Sequence, residues 1–191
     1  MQFRNLLILA GAISLMGACK EPEPRNEIRV FHEVPCGADR SHQGFSHVSN
    51  WAGSSYFISS GFYNLQEAKA LAARHQAHLV TIGSAAENQV VQALLDSAGV
   101  SYALIGFQDE QSEGHHRWLN GEPIFYTNWQ RLEPNNTAYA NCHDNETLIC
   151  EEDAVTIAGQ SHPEAGGWND VPVSLRYNVV LEQICDPVDL R

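Results

Sequence analysis

Hydrophobic positions recur with helical spacing in two consecutive segments of the chain. The first apolar stripe is formed by Leu65, Ala68, Leu71 and Ala72. Asn64 and Glu67 stand where a capping box would begin this helix. The second stripe is formed by Val90, Val91, Leu94 and Leu95. Ser84 and Glu87 predict a second capping box, and Gly99 predicts the end of that helix. The pattern therefore predicts two helices.

Short runs rich in β-branched and aromatic residues lie between and after the helices. The runs that predict strands are His78–Ile82, Tyr102–Phe107 and Tyr177–Leu181. Asn120-Gly121 is typical of a tight turn and predicts a hairpin between residues 117–119 and 123–126. No linker interrupts residues 28–191, so one domain is predicted.

Residues 130–170 have a different character. They are rich in Asn, Asp, Glu, Pro and Gly and poor in aliphatic residues, apart from Ala154–Ile157. A segment of this length without its own periodicity is usually functional or disordered. Two cysteines and a tryptophan within it favour function.

The N-terminus predicts a secretion signal. Arg4 supplies its positive charge, Leu6–Met16 its apolar stretch, and Gly17-Ala18 the small residues before Cys19. The apolar stretch is too short to span a bilayer. The segment ending at Cys19 resembles a bacterial lipobox, in which cleavage leaves the cysteine for diacylation. Ordinary cleavage that leaves a free cysteine is the alternative.

Cysteine parity favours lipidation of Cys19. The chain has five cysteines, and reserving Cys19 leaves four for disulfides in an oxidising compartment. Lys20 follows the cysteine, which favours lipid anchoring at the bacterial outer membrane or cell surface, or on the periplasmic face. The predicted organisation is a signal peptide (1–18), a lipidated tether with an N-terminal extension (19–54), the main domain (55–185) and a C-terminal tail (186–191).

The composition predicts a folded, acidic protein. With 191 residues, 43% of them hydrophobic, the chain can bury a substantial core. It has 11 Lys and Arg against 23 Asp and Glu, a formal net charge of −12. Nucleic-acid binding is excluded because no basic stripe is present to neutralise phosphates. The acidic surplus fits solvated carboxylates and a hard-cation site equally well.

The order of motifs resembles the C-type lectin-like domain family over roughly residues 55–183. Besides the two predicted helices, the matching segments are residues 79–82, 104–107, 118–123, 126–129, 133–135, 152–157, 168–170 and 179–182. The sequence Glu133-Pro134-Asn135, followed later by Trp168-Asn169-Asp170, makes the resemblance specific. It implies an α+β fold with two helices, two small antiparallel sheets and a long loop region that carries the ligand site.

The resemblance implies a calcium ion in that loop region. The implied ligands, which would also bind carbohydrate, are Glu133, Asn135, Glu152, Asn169 and Asp170. Calcium prefers such carboxylate and amide oxygens, whereas zinc would call for His or Cys. By the resemblance, the Glu133–Pro134 bond is cis and turns the flanking side chains toward one ion.

In the family, two vicinal hydroxyls of a sugar complete the calcium coordination. Glu-Pro-Asn, rather than Gln-Pro-Asp, resembles the arrangement that selects equatorial hydroxyls, as in mannose, N-acetylglucosamine, fucose and glucose. The expected partners are therefore glycans of this type. The alternative is a protein-binding adhesin in which calcium only orders the loops, and it is favoured if residues 136–151 cover the site.

A second calcium site is implied by the resemblance to some family members. Its ligands would be Asp109, Glu113, Asn136 and Asp153. The alternative is a solvated acidic turn over residues 109–114, since turns commonly contain Asp and Glu.

The four cysteines that usually cross-link the family's fold are absent. Apolar residues occupy their positions, Ala72 and Leu181 for one pair and Ala154 and Val173 for the other. The cysteines that are present lie elsewhere. We predict a Cys36–Cys185 bond, because the family's termini lie close together, and a Cys142–Cys150 bond that closes a short loop.

An enzymatic function is not predicted. The acidic residues that could be imagined as a glycosidase acid/base pair are Glu133, Glu151, Glu152 and Asp153. That mechanism needs one protonated carboxyl group and one ionised one. Carboxylates mixed with Asn fit a cation better, and a cation would keep them ionised.

The remaining aromatic and histidine residues have simpler explanations. His115 and His116 are predicted to be solvated, since neither has a partner at ligand spacing. Trp118, Trp129 and Trp168 are predicted to belong to the core, because aromatic residues dominate cores by area.

Overall fold

A computed structural model describes residues 43–137 and 151–185. The helices are α1 (Leu65–Arg74) and α2 (Ala85–Ala98). The strands are β1 (Phe45–Trp51), β2 (Ser54–Ser59), β3 (His78–Leu79), β4 (Tyr102–Gln108), β5 (Arg117–Trp118), β6 (Ala154–Ala158), β7 (Trp168–Val171) and β8 (Asn178–Ile184). The predicted signal peptide, the lipidated Cys19, the Cys142–Cys150 bond and the C-terminal tail lie outside the described residues and stay predictions.

The eight strands form one sheet in the order β1-β2-β8-β4-β6-β7, with β3 beside β8 and β5 beside β4. Neighbouring strands are antiparallel except for β4 and β8, which run parallel at Ala103–Asn178 and Leu104–Val179. The α+β class is confirmed. The two predicted antiparallel sheets are present as two antiparallel parts, joined by this short parallel contact.

Both helices begin, and α2 also ends, where the local sequence predicts. Asn64 and Glu67 exchange side-chain to backbone hydrogen bonds, so the capping box of α1 is confirmed. Ser84 caps α2 by accepting the Glu87 N–H, and Gly99 ends it with a φ of 66°. The second half of the predicted box in α2 is absent, because the Glu87 carboxylate instead accepts the Gly83 N–H and the Tyr56 hydroxyl.

The folded domain begins earlier than residue 55. Strand β1 pairs with β2 from Phe45 to Trp51, although the sequence analysis assigned these residues to the N-terminal extension. Phe45 is buried in one apolar cluster, and Val48 and Trp51 are partly buried against the core. These apolar positions do not alternate along the strand, so the hydrophobic pattern does not predict it.

The predicted hairpin has its turn and only its first arm. Gly121 has a φ of 82°, and its N–H donates to the Trp118 carbonyl at 3.1 Å. Residues 123–126 are not a strand, and the Phe125 side chain is 81% exposed. Pro123 cannot donate a backbone hydrogen bond, and β5 pairs with β4 instead.

Two apolar clusters form the core. One contains Ala72, Leu181 and Ala154, with Val173 packed against it, so the positions of the absent family cysteines lie in one apolar cluster. The other contains the buried Trp118 and Trp168, with Trp129 partly buried beside them. The predicted core role of all three tryptophans is confirmed.

The last described residue, Cys185, is buried and disulfide-bonded. Its partner lies outside the described residues, so the Cys36–Cys185 pairing stays a prediction. Within residues 43–137 and 151–185, neither helix combines the length and the apolar character needed to cross a membrane.

Candidate functional site

Strand β7 supplies the acceptor around which the Glu-Pro-Asn loop is arranged. The Asp170 carboxylate accepts the Asn135 N–H at 3.2 Å and the Asn136 N–H at 2.8 Å. Glu133 Oε2 accepts a hydrogen bond from Asn135 Nδ2 at 2.6 Å. The Glu133–Pro134 peptide bond is cis, as predicted. Three of the five predicted ligands are thus in direct contact.

Strand β6 brings Glu152 to the same place. The strand starts opposite Val171, the residue after Asp170, so Glu152 lies at the same end of the β6–β7 pair. Its carboxylate accepts the Thr137 N–H at 2.7 Å, and its own N–H donates to Asn136 Oδ1 at 2.9 Å. The loop and β6 are therefore held together by reciprocal hydrogen bonds.

The pKa values of Glu133 and Glu152 are raised by burial and by the neighbouring Asp170. Burial, followed by the neighbouring Asp170, raises the pKa of Glu133 to about 7. Burial also raises the pKa of Glu152 to about 6, and the charge of Asp170 adds to the effect. Like charges held near one another disfavour ionisation. The negative charge of Asp170 therefore adds to burial in disfavouring the ionised forms of Glu133 and Glu152.

Asn169 makes fewer contacts with the other predicted ligands than its place in the motif predicts. It is half-buried beside Asp170 in β7, and its backbone carbonyl accepts the Thr156 hydroxyl at 3.3 Å. Within the described residues, its side chain makes no hydrogen bond to the other four predicted ligands. Its assignment as a ligand stays a prediction.

A second acidic group lies at the end of β4. Asp109 is 2% exposed; its Oδ2 accepts the Gly114 N–H at 2.9 Å, while its Oδ1 is buried and has no hydrogen-bond partner. The Asp109 N–H donates to the Asp153 carbonyl at 3.2 Å. Single carboxylate oxygens of Glu113, Glu151 and Asp153 lie within 4.8 Å of one another.

The pKa of Asp153 reflects its burial and the negative charges of this second group. Burial comes first among the causes, and the charges of Asp109, Glu151 and Glu113 add to it, raising the pKa of Asp153 to about 6. Three of the four predicted ligands of the second calcium are therefore brought together. Glu151 was not predicted, although its place in the acidic run 151–153 was the available signal.

Asn136 contacts the first group, because its Oδ1 accepts the Glu152 N–H, and its assignment to the second calcium stays a prediction. One further expectation is corrected. His116 is not solvated: its ring packs on Phe107 and Trp129, with centroids 5.3 and 5.0 Å apart, and Nδ1 lies 3.6 Å from Asp109 Oδ2. The aromatic core reaches His116 in the folded protein, although the residues next to it in the sequence are polar.

The donor chemistry of both groups fits a hard divalent cation. All candidate ligands offer carboxylate or amide oxygens, as calcium prefers, and the unpartnered buried Oδ1 of Asp109 is an available acceptor. Glu133, Asn135, Glu152 and Asp170 would hold an ion in the first group. Asp109, Glu113, Glu151 and Asp153 would hold one in the second.

The fold, the cis Glu133–Pro134 bond and the paired acidic loops agree with the family that the motifs resemble. A family model described as the lectin C-type domain matches residues 62–180. The chain belongs to the C-type lectin domain family. This fold is generally a binding, non-catalytic domain, and no enzymatic family is indicated.

Solved C-type lectin domains show the same architecture. The carbohydrate-recognition domain of the mouse scavenger receptor C-type lectin is 25% identical, with a TM-score of 0.60, over 73% of this chain and 95% of that one. Its human counterpart is 25% identical, with a TM-score of 0.59, over 72% and 96%.

A more distant structure limits what the fold can decide. A calcium-independent type II antifreeze protein is 15% identical, with a TM-score of 0.57, over 73% of this chain and 92% of that one. At this identity the likeness concerns the fold alone. The C-type lectin fold by itself therefore does not establish calcium binding.

Proposed function

We propose that this C-type lectin domain binds carbohydrate through calcium, with mannose-type specificity. The observation that carries the proposal is the convergence of Glu133, Asn135, Glu152 and Asp170 from three chain segments. The carboxylates in this group repel one another, and carboxylates buried together are costly unless a cation or donor compensates them. Asn169, the neighbour of Asp170, completes the proposed set.

The polar groups of the site suit the recognition of two adjacent hydroxyl groups. A bound calcium ion would supply the positive charge that anchors the two sugar oxygens. The Glu133 and Glu152 carboxylates would accept hydrogen bonds from the sugar hydroxyl groups, whereas the Asn135 amide would donate a hydrogen bond to a hydroxyl oxygen. Because Asn135 Nδ2 already donates to Glu133, donor and acceptor stand side by side.

The second acidic group has a supporting role in this proposal. Asp109, Glu113, Glu151 and Asp153 would hold another calcium ion that orders the loops. Glu152 of the first group lies between Glu151 and Asp153 of the second in the sequence, so neutralising the second group would also steady a ligand of the first.

We also propose a lipid anchor at Cys19, which would set how the domain is used. A single shallow sugar site is weak, whereas many copies on one membrane bind a glycan surface with much higher avidity. The anchor would therefore compensate for the weakness of each site.

Affinity chromatography on immobilised mannose tests the proposal. The full chain, held in a detergent that carries no sugar, should be retained in calcium and released by a chelator or by free mannose. A matched variant, Glu133→Gln with Asn135→Asp, should lose mannose retention and shift toward galactose-type sugars, because donor and acceptor exchange places around the ion.

The outcomes separate the two candidate roles. Absence of retention, with calcium still raising the melting temperature, would support a protein-binding adhesin whose loops are ordered by calcium. Mannose binding that the double variant leaves unchanged would contradict the site assignment. If calcium changed neither retention nor melting temperature, the calcium proposal would fail.

A further inference from the structure

Leu132 occupies an unusual position directly beside the candidate site. It precedes Glu133, its side chain is 77% exposed, and its φ is 78°. It is the third residue of a turn closed by a hydrogen bond from the Glu133 N–H to the Gln130 carbonyl at 3.1 Å. This turn position with positive φ normally takes Gly or Asn.

Neither the backbone nor the solvent favours leucine here. A branched side chain with positive φ is strained, because its Cβ crowds the backbone. Exposed leucines are common on protein surfaces, but an exposed leucine usually costs little in its backbone. Strain of this kind is concentrated at sites with a binding role. The position therefore combines a conformational cost with no compensating burial.

Two hydrogen bonds attach the residues just before Leu132 to other parts of the fold. The Gln130 N–H donates to the Trp168 carbonyl at 2.9 Å. The Arg131 N–H donates to the Glu164 carboxylate at 3.2 Å. Since Trp168 begins the strand that carries Asp170, the turn and the candidate ligands share one framework. Leu132 is thus held at a fixed place next to Glu133.

We propose that Leu132 determines specificity by contacting an apolar substituent on the bound sugar. The inference rests on the proposed function. The ligand class is then a mannose-type glycoside that carries an alkyl or aryl group. A leucine side chain offers no hydrogen bond, so a purely polar glycan gains nothing from it. Burying an apolar substituent against it would strengthen binding about fivefold, given the area that one side chain can cover.

Competition with two soluble glycosides tests this inference. The full chain, in a sugar-free detergent with calcium, is bound to immobilised mannose and displaced by methyl α-mannoside or by p-nitrophenyl α-mannoside. The aryl glycoside should compete about fivefold better. Leu132→Asn should abolish this preference and leave the methyl glycoside unaffected, because Asn tolerates positive φ and removes the apolar surface. Ile184→Asn, at a leucine-sized residue that is 71% exposed on β8, should keep the preference.

Each result decides the matter. Methyl mannoside competition without an aryl preference in the unaltered protein would overturn the inference and leave the proposed function intact. An aryl preference that survives in Leu132→Asn would also overturn it. A melting temperature several degrees lower in Leu132→Asn would show that the side chain serves the fold, again overturning the inference. Absence of any calcium-dependent mannoside competition would overturn both the inference and the proposed function.

Discussion

Two parts of the molecule bury acidic side chains, and they do so in opposite ways. In the sheet, Glu182 of β8 accepts the Ser54 hydroxyl at 2.7 Å and the Thr81 N–H at 3.2 Å, and His78 Nε2 lies 3.9 Å away. Each oxygen of this carboxylate has a donor from the protein itself. A buried carboxylate satisfied in this way serves the fold.

In the loop region, buried and half-buried carboxylates are grouped together. Glu133 and Glu152 are both affected by Asp170, and Asp153 by Asp109. Backbone N–H groups donate hydrogen bonds to some of these carboxylates, but several negative charges remain close together. Asp170 also has a protein donor for each oxygen, so the two regions differ in the grouping of several carboxylates rather than in missing donors, and this grouping favours a cation supplied from outside.

The largest expected effect comes from removing a charge from the loop group. Asp170→Asn keeps an oxygen acceptor for one of the two backbone N–H groups, those of Asn135 and Asn136, and removes one of three carboxylates. Calcium affinity should fall about 100-fold, equivalent to about 3 kcal/mol. Calcium titration calorimetry measures this change. Glu182→Gln, a matched change in the sheet, should leave the calcium affinity unaltered; equal losses in both variants would remove the distinction between the two regions.

The second effect concerns the stability of the sheet. Glu182→Ala leaves the Ser54 hydroxyl and the Thr81 N–H without their acceptor, so the free energy of unfolding should fall by about 2 kcal/mol. Glu182→Gln should cost less because it keeps one oxygen. Urea unfolding gives the values. The rise in melting temperature on adding calcium should be the same as in the unaltered protein, and a lost calcium response would contradict a purely structural role.

A third effect should have the opposite sign. Asp153→Asn removes a charge from the group that contains Asp109, Glu113 and Glu151, so the calcium-free protein should melt about 3 °C higher. Calorimetric scans with a chelator present measure the change, with Glu122→Gln, an exposed acid elsewhere, as the control. A lower melting temperature would show that Asp153 is compensated within the protein.

The smallest effect is a dependence on pH. The pKa values of Glu133, Glu152 and Asp153, about 7, 6 and 6, exceed their ordinary values of 4.5, 4.5 and 3.8. The folded state therefore binds more protons than the unfolded state, and its stability falls as pH rises from about 4 to 7. Solvent screens the charges of the half-buried Glu133 and Asp153, so only a small part of these shifts should appear as stability. Without calcium, the melting temperature should fall by about 2 °C from pH 5 to 7.5.

Calcium separates the two regions in the same experiment. Saturating calcium should remove the part of the pH dependence that comes from the loop carboxylates. Burial also raises the pKa of Glu182, so its contribution has the same sign and should persist with calcium. A pH dependence that calcium leaves entirely unchanged would place its origin in the sheet.

Features that depend on near neighbours in the chain were predictable. The caps at Asn64 and Ser84 and the end of α2 at Gly99 were all predicted correctly, because capping depends on residues within a few positions. The cis Glu133–Pro134 bond and the grouping of Glu133, Asn135, Glu152 and Asp170 followed from the family resemblance. These residues were identified by their types and their order in the sequence, without knowledge of the distances between them.

Features that depend on distant segments were missed. Strand β1 pairs with β2 although its apolar residues do not alternate. The Glu87 carboxylate accepts the hydroxyl of Tyr56, 31 residues away, instead of completing its own capping box. His116 is covered by Phe107 and Trp129, although its neighbours in the sequence are polar. Glu151 joins Glu113 only because two loops meet at the end of β4 and the start of β6.

The helices, the apolar core and the kinds of atoms at the candidate site follow from residue type and local spacing, so they could be predicted from the sequence. The neighbours of each acidic side chain follow from the folded arrangement of distant segments. Glu182 and Glu152 are the same residue type, and both are buried. Their difference comes from the groups that folding brings within a few ångströms, because hydrogen bonding and repulsion depend on distance in space rather than along the chain.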